Sequence, residues 1–259
     1  MSSSRKHGDF TGLASDYTKF RPGYAPAVAD AVVRYVGKDI SSIDAADIGA
    51  GTGIWTRALA ERGLRSVVAV EPNDDMRGEG IASSRGTAIT FSKGTAEATG
   101  LPDHSFDLVS MASSFHWADF DRACDEFQRI LRPGGLFVAL WNPRMIEVNP
   151  LLVEIEAEIA RLKPDIRRVS SGRSGLTERL TDLLAGRRHF ANVLYLEGRH
   201  TISQTPEQYL GAWRSVNDLQ VQLGPELFRR FLSSAEQRTV GLTAIETTYL
   251  TRAWAVRSV

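Results

Sequence analysis

The sequence predicts an α/β protein with a doubly wound, mostly parallel seven-stranded sheet, helices on both faces and a helical cap. Three observations support this fold class. Short apolar runs alternate with amphipathic helical patterns through the first half of the chain. A glycine-rich loop joins the first apolar run to the helical pattern that follows it. A later stretch, residues 145–188, carries charge-rich helical patterns and few strand signals.

Length and composition indicate one large core with an appended lid. The chain has 259 residues and a formal net charge of zero, so nothing suggests a polyanionic partner such as nucleic acid. The single cysteine, Cys124, excludes an internal disulfide, and its acidic helical setting does not favour a nucleophilic thiolate. No apolar run approaches the ~20 residues of a membrane span, and the start at Met1–Lys6 lacks the apolar core of a signal peptide. We therefore expect a cytoplasmic protein without a membrane partner, either a monomer or a homodimer.

The N-terminal segment is predicted to be a lid. Residues 1–12 are polar, rich in serine and glycine, and expected to be loose. After them, aromatic residues including Tyr17 and Tyr24 cluster around Arg21, and Pro22 ends any helix at that point.

A strand–loop–helix–strand unit follows, and the rest of the chain is organised around it. Residues Ile43–Ile48 predict a strand, Gly49–Gly53 a tight loop, and the pattern from Trp55 a helix. A second strand, Val67–Val70, ends at Glu71, whose carboxylate can accept hydrogen bonds from both hydroxyls of a ribose. This order is typical of a nucleotide site, because glycines let the backbone approach a ligand closely. The alternative is an ordinary turn whose glycines serve packing.

Two residues argue against a dinucleotide at this site. Ile54 stands where the dinucleotide fingerprint has its third glycine. Asp47, two residues before the loop, is a poor neighbour for a pyrophosphate but a good one for an ammonium group. A cofactor with an adenosine at one end and an α-amino acid at the other suits both Asp47 and Glu71. That cofactor is S-adenosylmethionine.

The remaining elements continue the alternation. Helices are predicted over residues 27–36, 73–85 and 120–131, and strands over residues 89–94, 106–111 and 136–141. Residues 113–117 lie just past the carboxyl end of the fourth strand, where ligands bind in open α/β sheets.

The second half of the chain does not continue the alternation of short strands and helices. After the cap pattern, residues 190–203 predict a strand. Thr205 and Pro206 begin a helix with proline at its first position, and the helical residue pattern continues through Arg238. Residues 244–256 predict a final strand.

These patterns resemble the class I S-adenosylmethionine-dependent methyltransferases with small-molecule acceptors. The resemblance spans roughly residues 14–142 and rests on motifs at the spacing of a βα repeat: Asp47–Gly53, Glu71–Pro72, Gly94–Glu97 before Leu101–Pro102, Ser105–Val109, Phe115–Trp117 and Leu131–Leu136. It implies a Rossmann-like fold in which residues 244–256 form an antiparallel strand beside the fifth. The predicted divisions are an N-terminal lid (1–26), a cofactor-binding core (27–144), and cap helices with the last two strands (145–259).

The resemblance also assigns expected cofactor contacts. They are Asp47, Gly49, Ala50 and Gly51 at the methionine end, Glu71 at the ribose, Pro72 and Met76 against the adenine, Thr95, Ala96 and Glu97 at the adenine edge, and Ser113 beside the sulfonium. Many relatives have an aspartate at the position of Thr95. That aspartate accepts a hydrogen bond from the adenine amino group. Here the hydroxyl of Thr95 or the carboxylate of Glu97 would take that part.

Further residues have two interpretations each. His116 is the candidate general base, since its unperturbed pKa near ~6.5 suits proton removal at neutral pH. Its alternative role is to orient the cofactor or to cap the next helix. Arg21 is expected to grip the cofactor carboxylate, the alternative being a surface arginine stacked on an aromatic ring. Tyr17 is expected to close over the site or, alternatively, to pack in the core.

The acceptor is expected to contact residues outside the core motifs. Trp117 is predicted as a pocket wall, and Arg144, Trp213 and Arg214 are candidates for acceptor binding. An acidic acceptor would need an arginine such as Arg144, which follows the fifth strand. For each arginine the alternative is a solvated surface charge.

The sequence therefore predicts methyl transfer to an oxygen or nitrogen of a small molecule by in-line displacement, with carbon less favoured. The alternatives are an NAD-dependent oxidoreductase and a non-catalytic nucleotide-binding protein. A nucleic-acid methyltransferase is disfavoured by the zero net charge and the lack of a basic stripe. No Cys/His cluster has metal-binding spacing, so no metal is expected.

Overall fold

Seven strands form one sheet in the part of the chain that the computed structural model describes, which is residues 11–167, 172 and 175–259. The strands are β1 (Asp44–Ile48), β2 (Ser66–Val70), β3 (Ile89–Ser92), β4 (Phe106–Ala112), β5 (Leu131–Trp141), β6 (Phe190–Gln204) and β7 (Ile245–Ser258). Their order across the sheet is β3-β2-β1-β4-β5-β7-β6. The first five are parallel, and β7 runs antiparallel to both of its neighbours. The predicted fold class, including the antiparallel strand beside β5, is confirmed.

The helices are α1 (Ala14–Phe20), α2 (Pro26–Tyr35), α3 (Ile54–Ala60), α4 (Asp74–Ser83), α5 (Phe120–Ile130), α6 (Pro150–Leu162), α7 (Leu176–Ala185), α8 (Pro206–Arg214) and α9 (Asn217–Thr239). Polar side chains begin several of them. Asn73 accepts the N–H of Met76 at the start of α4. Thr205 and Gln208 form a reciprocal capping box at the start of α8.

Both faces of the sheet are covered, which explains why β1 and β4 read as continuous buried runs. Helices α2 and α3 pack on one face, where Val32, Trp55 and Leu59 join the core. Helices α5 and α7 cover the other face, where Phe127 and Leu184 do the same. A third apolar cluster packs α6, α8 and α9 together, and these three helices are called the cap below.

Two local departures from the predicted elements have clear causes. Helix α9 is interrupted at Gly224, whose φ of 68° and ψ of 172° are not helical and which precedes Pro225. Strand β5 starts at Leu131, directly after α5, because Leu131 pairs with Phe106 before a register shift in β4. Residues 132–135, which lie between the predicted helix and the predicted strand, are therefore part of β5.

The predicted lid packs against the cap. Helix α1 contacts α8, where the ring of Phe20 lies against Gly211. The loose segment predicted for residues 1–12 lies largely outside the described residues, as do residues 168–171 and 173–174 of the predicted cap. Among the described helices, none combines the length and apolar composition that crossing a membrane requires.

Candidate active site

A cavity of about 690 Å³ opens where β1 to β5 end. Its wall includes every predicted site residue except Asp47 and Arg214: Tyr17, Arg21, Gly49, Ala50, Gly51, Glu71, Pro72, Met76, Thr95, Ala96, Glu97, Ser113, His116, Trp117, Arg144 and Trp213. The carboxyl ends of the parallel strands lie at one edge of the sheet and bring together the residues that follow them, such as Gly49, Glu71 and Ser113. The cavity continues from the glycine loop to the cap without interruption.

The glycine loop and Glu71 form one structural unit. Oε2 of Glu71 accepts the N–H of Gly51 at 2.8 Å, and Oε1 accepts the N–H of Asn73 at 2.9 Å. A carboxylate has about four acceptor positions, so one remains on each oxygen for a ligand hydroxyl. Burial raises the pKa of Glu71, and the two backbone donors oppose that rise. This geometry suits a diol such as ribose.

The side of the cavity next to β3 is less enclosed. Met76 is buried beneath the loop, while Pro72 and Thr95 are exposed at its rim. Oε1 of Glu97 accepts a hydrogen bond from the N–H of Asp119 at 2.8 Å. This bond joins the segment after β3 to the start of α5. Although burial opposes ionisation, backbone donors hold the pKa of Glu97 below its usual range. The carboxylate is therefore available as an acceptor for an amino group.

Asp47 differs from its prediction, because it lies behind the loop instead of in the cavity wall. Its carboxylate is fully buried and accepts the hydroxyl of Thr56 at 2.6 Å and that of Ser110 at 3.1 Å. The side chain points toward α3, so the predicted direct contact with a cofactor ammonium group is corrected. Burial raises the pKa of Asp47 to about 7.

We expect Asp47→Asn to stabilise the protein in a pH-dependent way. The folded carboxyl binds a proton more tightly than the unfolded one, so wild-type stability falls as pH rises between about 4 and 7. A rise from 3.8 to about 7 corresponds to at most about 4 kcal/mol. The free energy of unfolding of Asp47→Asn should therefore exceed that of wild type above pH 7, and the difference should shrink toward pH 4. Urea unfolding across this pH range measures it, and a pH-independent difference would contradict the assigned ionisation.

The lid supplies a cation and two rings to the cavity. Arg21 donates from Nε to the hydroxyl of Ser215 at 2.8 Å and lies 5.0 Å from the ring of Tyr17. Tyr24 shares a 2.9 Å hydrogen bond with Ser113, whose φ of 56° places it in the left-handed region. Arg21 is thus anchored to the cap while it faces the cavity.

His116, the candidate general base, has an aromatic and largely buried environment. Its Nδ1 accepts the indole N–H of Trp141 at 3.3 Å, and its ring lies 4.5 Å from that of Trp117. Burial lowers the pKa of His116 to about 4, although nearby Asp218 works in the opposite direction. The pKa thus lies below the ordinary value of about 6.5, which favours the alternative of an orienting role over that of a general base.

The end of the cavity opposite the glycine loop is formed by the cap and β7. The guanidinium of Arg144 lies 4.5 Å from the ring of Trp213, 5.2 Å from Tyr209 and 5.9 Å from Tyr249. Although burial opposes its charge, the tyrosines and Glu156 raise the pKa of Arg144 above its usual range. Arg144 is thus an enclosed permanent cation, whereas Arg214 is exposed and outside the cavity.

Sequence reasoning missed several cavity residues. The residues that line the cavity without having been predicted to do so include Tyr24, Asn142, Glu156, Asn217, Asp218 and Tyr249. Asn142 directly follows β5, so its position carried a usable signal. The others have no local pattern that distinguishes them from ordinary helix or strand positions.

Other predicted features lie apart from this site. Cys124 is buried, and burial raises the pKa of its thiol to about 12, in agreement with an unreactive cysteine. Within the described residues, no group of three or more His, Cys, Asp or Glu side chains is arranged to hold a metal ion.

Comparisons of sequence and fold with known proteins find similar methyltransferases. A family model described as a methyltransferase domain matches residues 46–139. An uncharacterized methyltransferase of Mycobacterium tuberculosis strain H37Rv is 38% identical over 135 residues, covering 52% of each chain. A solved structure of a putative type II methyltransferase from Anaeromyxobacter dehalogenans aligns with a TM-score of 0.62 and 25% identity, covering 92% of this chain and 98% of that one. These findings support a class I S-adenosylmethionine-dependent methyltransferase.

The similarity to other methyltransferases is uneven along the chain. A putative methyltransferase from an antibiotic biosynthesis pathway of Anabaena variabilis shares the fold at 22% identity and a TM-score of 0.61, covering 91% of this chain and 98% of that one. The chain spans about half the length of the curated relatives it matches. The family match covers the glycine loop, Glu71 and His116, but Arg144 and Trp213 lie outside it.

Proposed function

We propose that this chain binds S-adenosylmethionine and transfers its methyl group to an oxygen or nitrogen atom of a small-molecule acceptor. The observation that carries the proposal is the continuity of the cavity. Its loop end suits a nucleoside, and its cap end holds Arg144, His116 and Trp213. A volume of about 690 Å³ lies within the ~300–1,000 Å³ of small-molecule sites, which favours a compact acceptor over a macromolecule.

The residues present fit the cofactor. Glu71 has acceptor capacity for the ribose, and Gly49 and Gly51 leave room beside the loop. Arg21 faces the cavity and would hold the cofactor carboxylate, while Thr95 and Glu97 would flank the adenine. When bound, S-adenosylmethionine supplies a methyl group already activated by a positively charged sulfur.

The chain's own part in the reaction is positioning. Trp117 and Trp141 line the cavity, and the enclosed Arg144 places a fixed cation at the acceptor end. Alignment of two bound reactants is the main catalytic contribution such a site can make, because no covalent step by the protein is required. The zero net charge of the chain also favours a small acceptor over nucleic acid.

Calorimetric titration with S-adenosylmethionine, S-adenosylhomocysteine and NAD tests the cofactor. We expect the first two to bind with Kd values of about 1 μM to 1 mM and NAD not to bind. Methyl-labelled S-adenosylmethionine should then label members of a panel of phenols, carboxylic acids and amines. Binding of NAD alone, or of no nucleotide, would contradict the proposal.

A further inference from the structure

The hydrogen bond between Trp141 and His116 determines which nitrogen of the imidazole carries the proton. An indole N–H can only donate, so Nδ1 of His116 must present a lone pair to it. A neutral imidazole has one N–H and one acceptor nitrogen. The proton of neutral His116 is therefore on Nε2.

His116 is neutral in the pH range where most enzymes work. Burial lowers its pKa to about 4, and Asp218 on α9 is the acidic group that opposes this. The other charged groups that line the cavity are Arg21, Glu71, Glu97, Arg144 and Glu156. Nδ1 is occupied and Nε2 is already protonated, so the ring has no free position at which to accept a proton.

The Nε2–H group of His116 has no acceptor in the part of the chain that the structure describes. Nε2 is buried and has no hydrogen-bond partner among the described residues. Buried polar groups in native proteins are nearly always satisfied, by protein, water or ligand. Because His116 lines the cavity, the expected partner is a molecule bound there.

We propose that His116 donates its Nε2–H to an ionised oxygen of the methyl acceptor, and that the acceptors are carboxylates, phenolates or enolates. This inference rests on the proposed methyltransferase function. An anionic oxygen makes the strongest hydrogen bond to such a donor, and it needs no base. A bond forms between the acceptor and the methyl carbon, the carbon–sulfur bond breaks, and its electron pair stays on sulfur. An ionised acceptor releases no proton in this step.

The tautomer can be read directly by NMR on protein labelled with ¹⁵N-histidine, of which the chain has five. Loss of one signal set in His116→Gln assigns the residue. We expect a protonated Nε2, an unprotonated Nδ1, and no titration between pH 8 and pH 5. In Trp141→Phe, which removes the indole donor, both tautomers should appear. A protonated Nδ1, or a titration midpoint near 6.5, would overturn the assignment.

Benzoate serves as the probe for the acceptor class, with benzylamine as its cationic counterpart of similar size. Benzoate should shift the Nε2 proton signal of His116, and benzylamine should not. Benzoate affinity should stay within about threefold in His116→Gln, which keeps an N–H donor, and fall by about 10–150-fold in His116→Leu. A shift with benzylamine only, no shift with benzoate, or equal losses in both variants would overturn the proposal. These measurements need neither cofactor nor turnover, so their failure is distinguishable from failure of the methyltransferase assignment.

Discussion

Replacing Gly49 with alanine is expected to destabilise the protein by about 2–5 kcal/mol and to weaken S-adenosylhomocysteine binding at least about tenfold. Gly49 has a φ of 64°, a left-handed conformation that costs other residues roughly 1–2 kcal/mol. A Cβ at this position would also lie 2.8 Å from Oγ and 2.9 Å from Cβ of Ser114. Overpacking of this kind costs about 1–3 kcal/mol. Because Ser114 adjoins Ser113, the strain is transmitted to the floor of the cavity.

The matched control is Gly63→Ala. Gly63 has a similar φ of 79°, but a Cβ there would meet nothing within 4 Å. It should cost about 1 kcal/mol and leave ligand affinity within about twofold. In a double-mutant cycle, Ser114→Gly should recover part of the loss caused by Gly49→Ala, since it removes both atoms of the clash. Urea unfolding and calorimetry measure these effects, and equal behaviour of Gly49→Ala and Gly63→Ala would contradict the packing argument.

The fold was predictable because its signals are local. The apolar run ending at Ile48, the glycine loop after it, and capping residues such as Asn73 and Thr205 each act on neighbouring backbone. The order of the strands depended instead on the family resemblance, since sequence pattern alone does not place β7 between β5 and β6. The Gly–Pro pair at Gly224 marks the break in α9, but the pattern around it predicts a helix that continues through Arg238.

Much of the cavity wall was predictable because chain order places residues at strand ends. Gly51, Glu71 and Ser113 follow three parallel strands, and the sheet brings them to one edge. Glu156 and Asp218 come from cap helices far along the chain, and their convergence is a tertiary property. The environment of His116 was not predictable for the same reason, because its pKa depends on burial and on Asp218 from a cap helix.

Replacing Glu71 with alanine is expected to weaken S-adenosylhomocysteine binding by about 10–150-fold. Hydrogen bonds to a charged group contribute about 1.5–3 kcal/mol, and Glu71 would lose its bonds to the ligand hydroxyls. It would also release the N–H groups of Gly51 and Asn73, which it holds at 2.8 and 2.9 Å. Calorimetry measures the change. Glu154→Ala, which removes an exposed carboxylate on α6, should leave affinity unaltered.

A comparison of two ligands separates the loss of the ribose contact from distortion of the loop. Wild type should bind adenosine more tightly than 2′-deoxyadenosine, because only the former offers both hydroxyls to the Glu71 carboxylate. In Glu71→Ala the two nucleosides should bind equally, whereas a distorted loop would weaken both and preserve the preference. Glu71→Gln should retain part of the preference, since its amide oxygen still accepts one hydrogen bond. If the preference for adenosine persists undiminished in Glu71→Ala, the ribose lies elsewhere, and the assignment of the loop end of the cavity to the nucleoside fails with it.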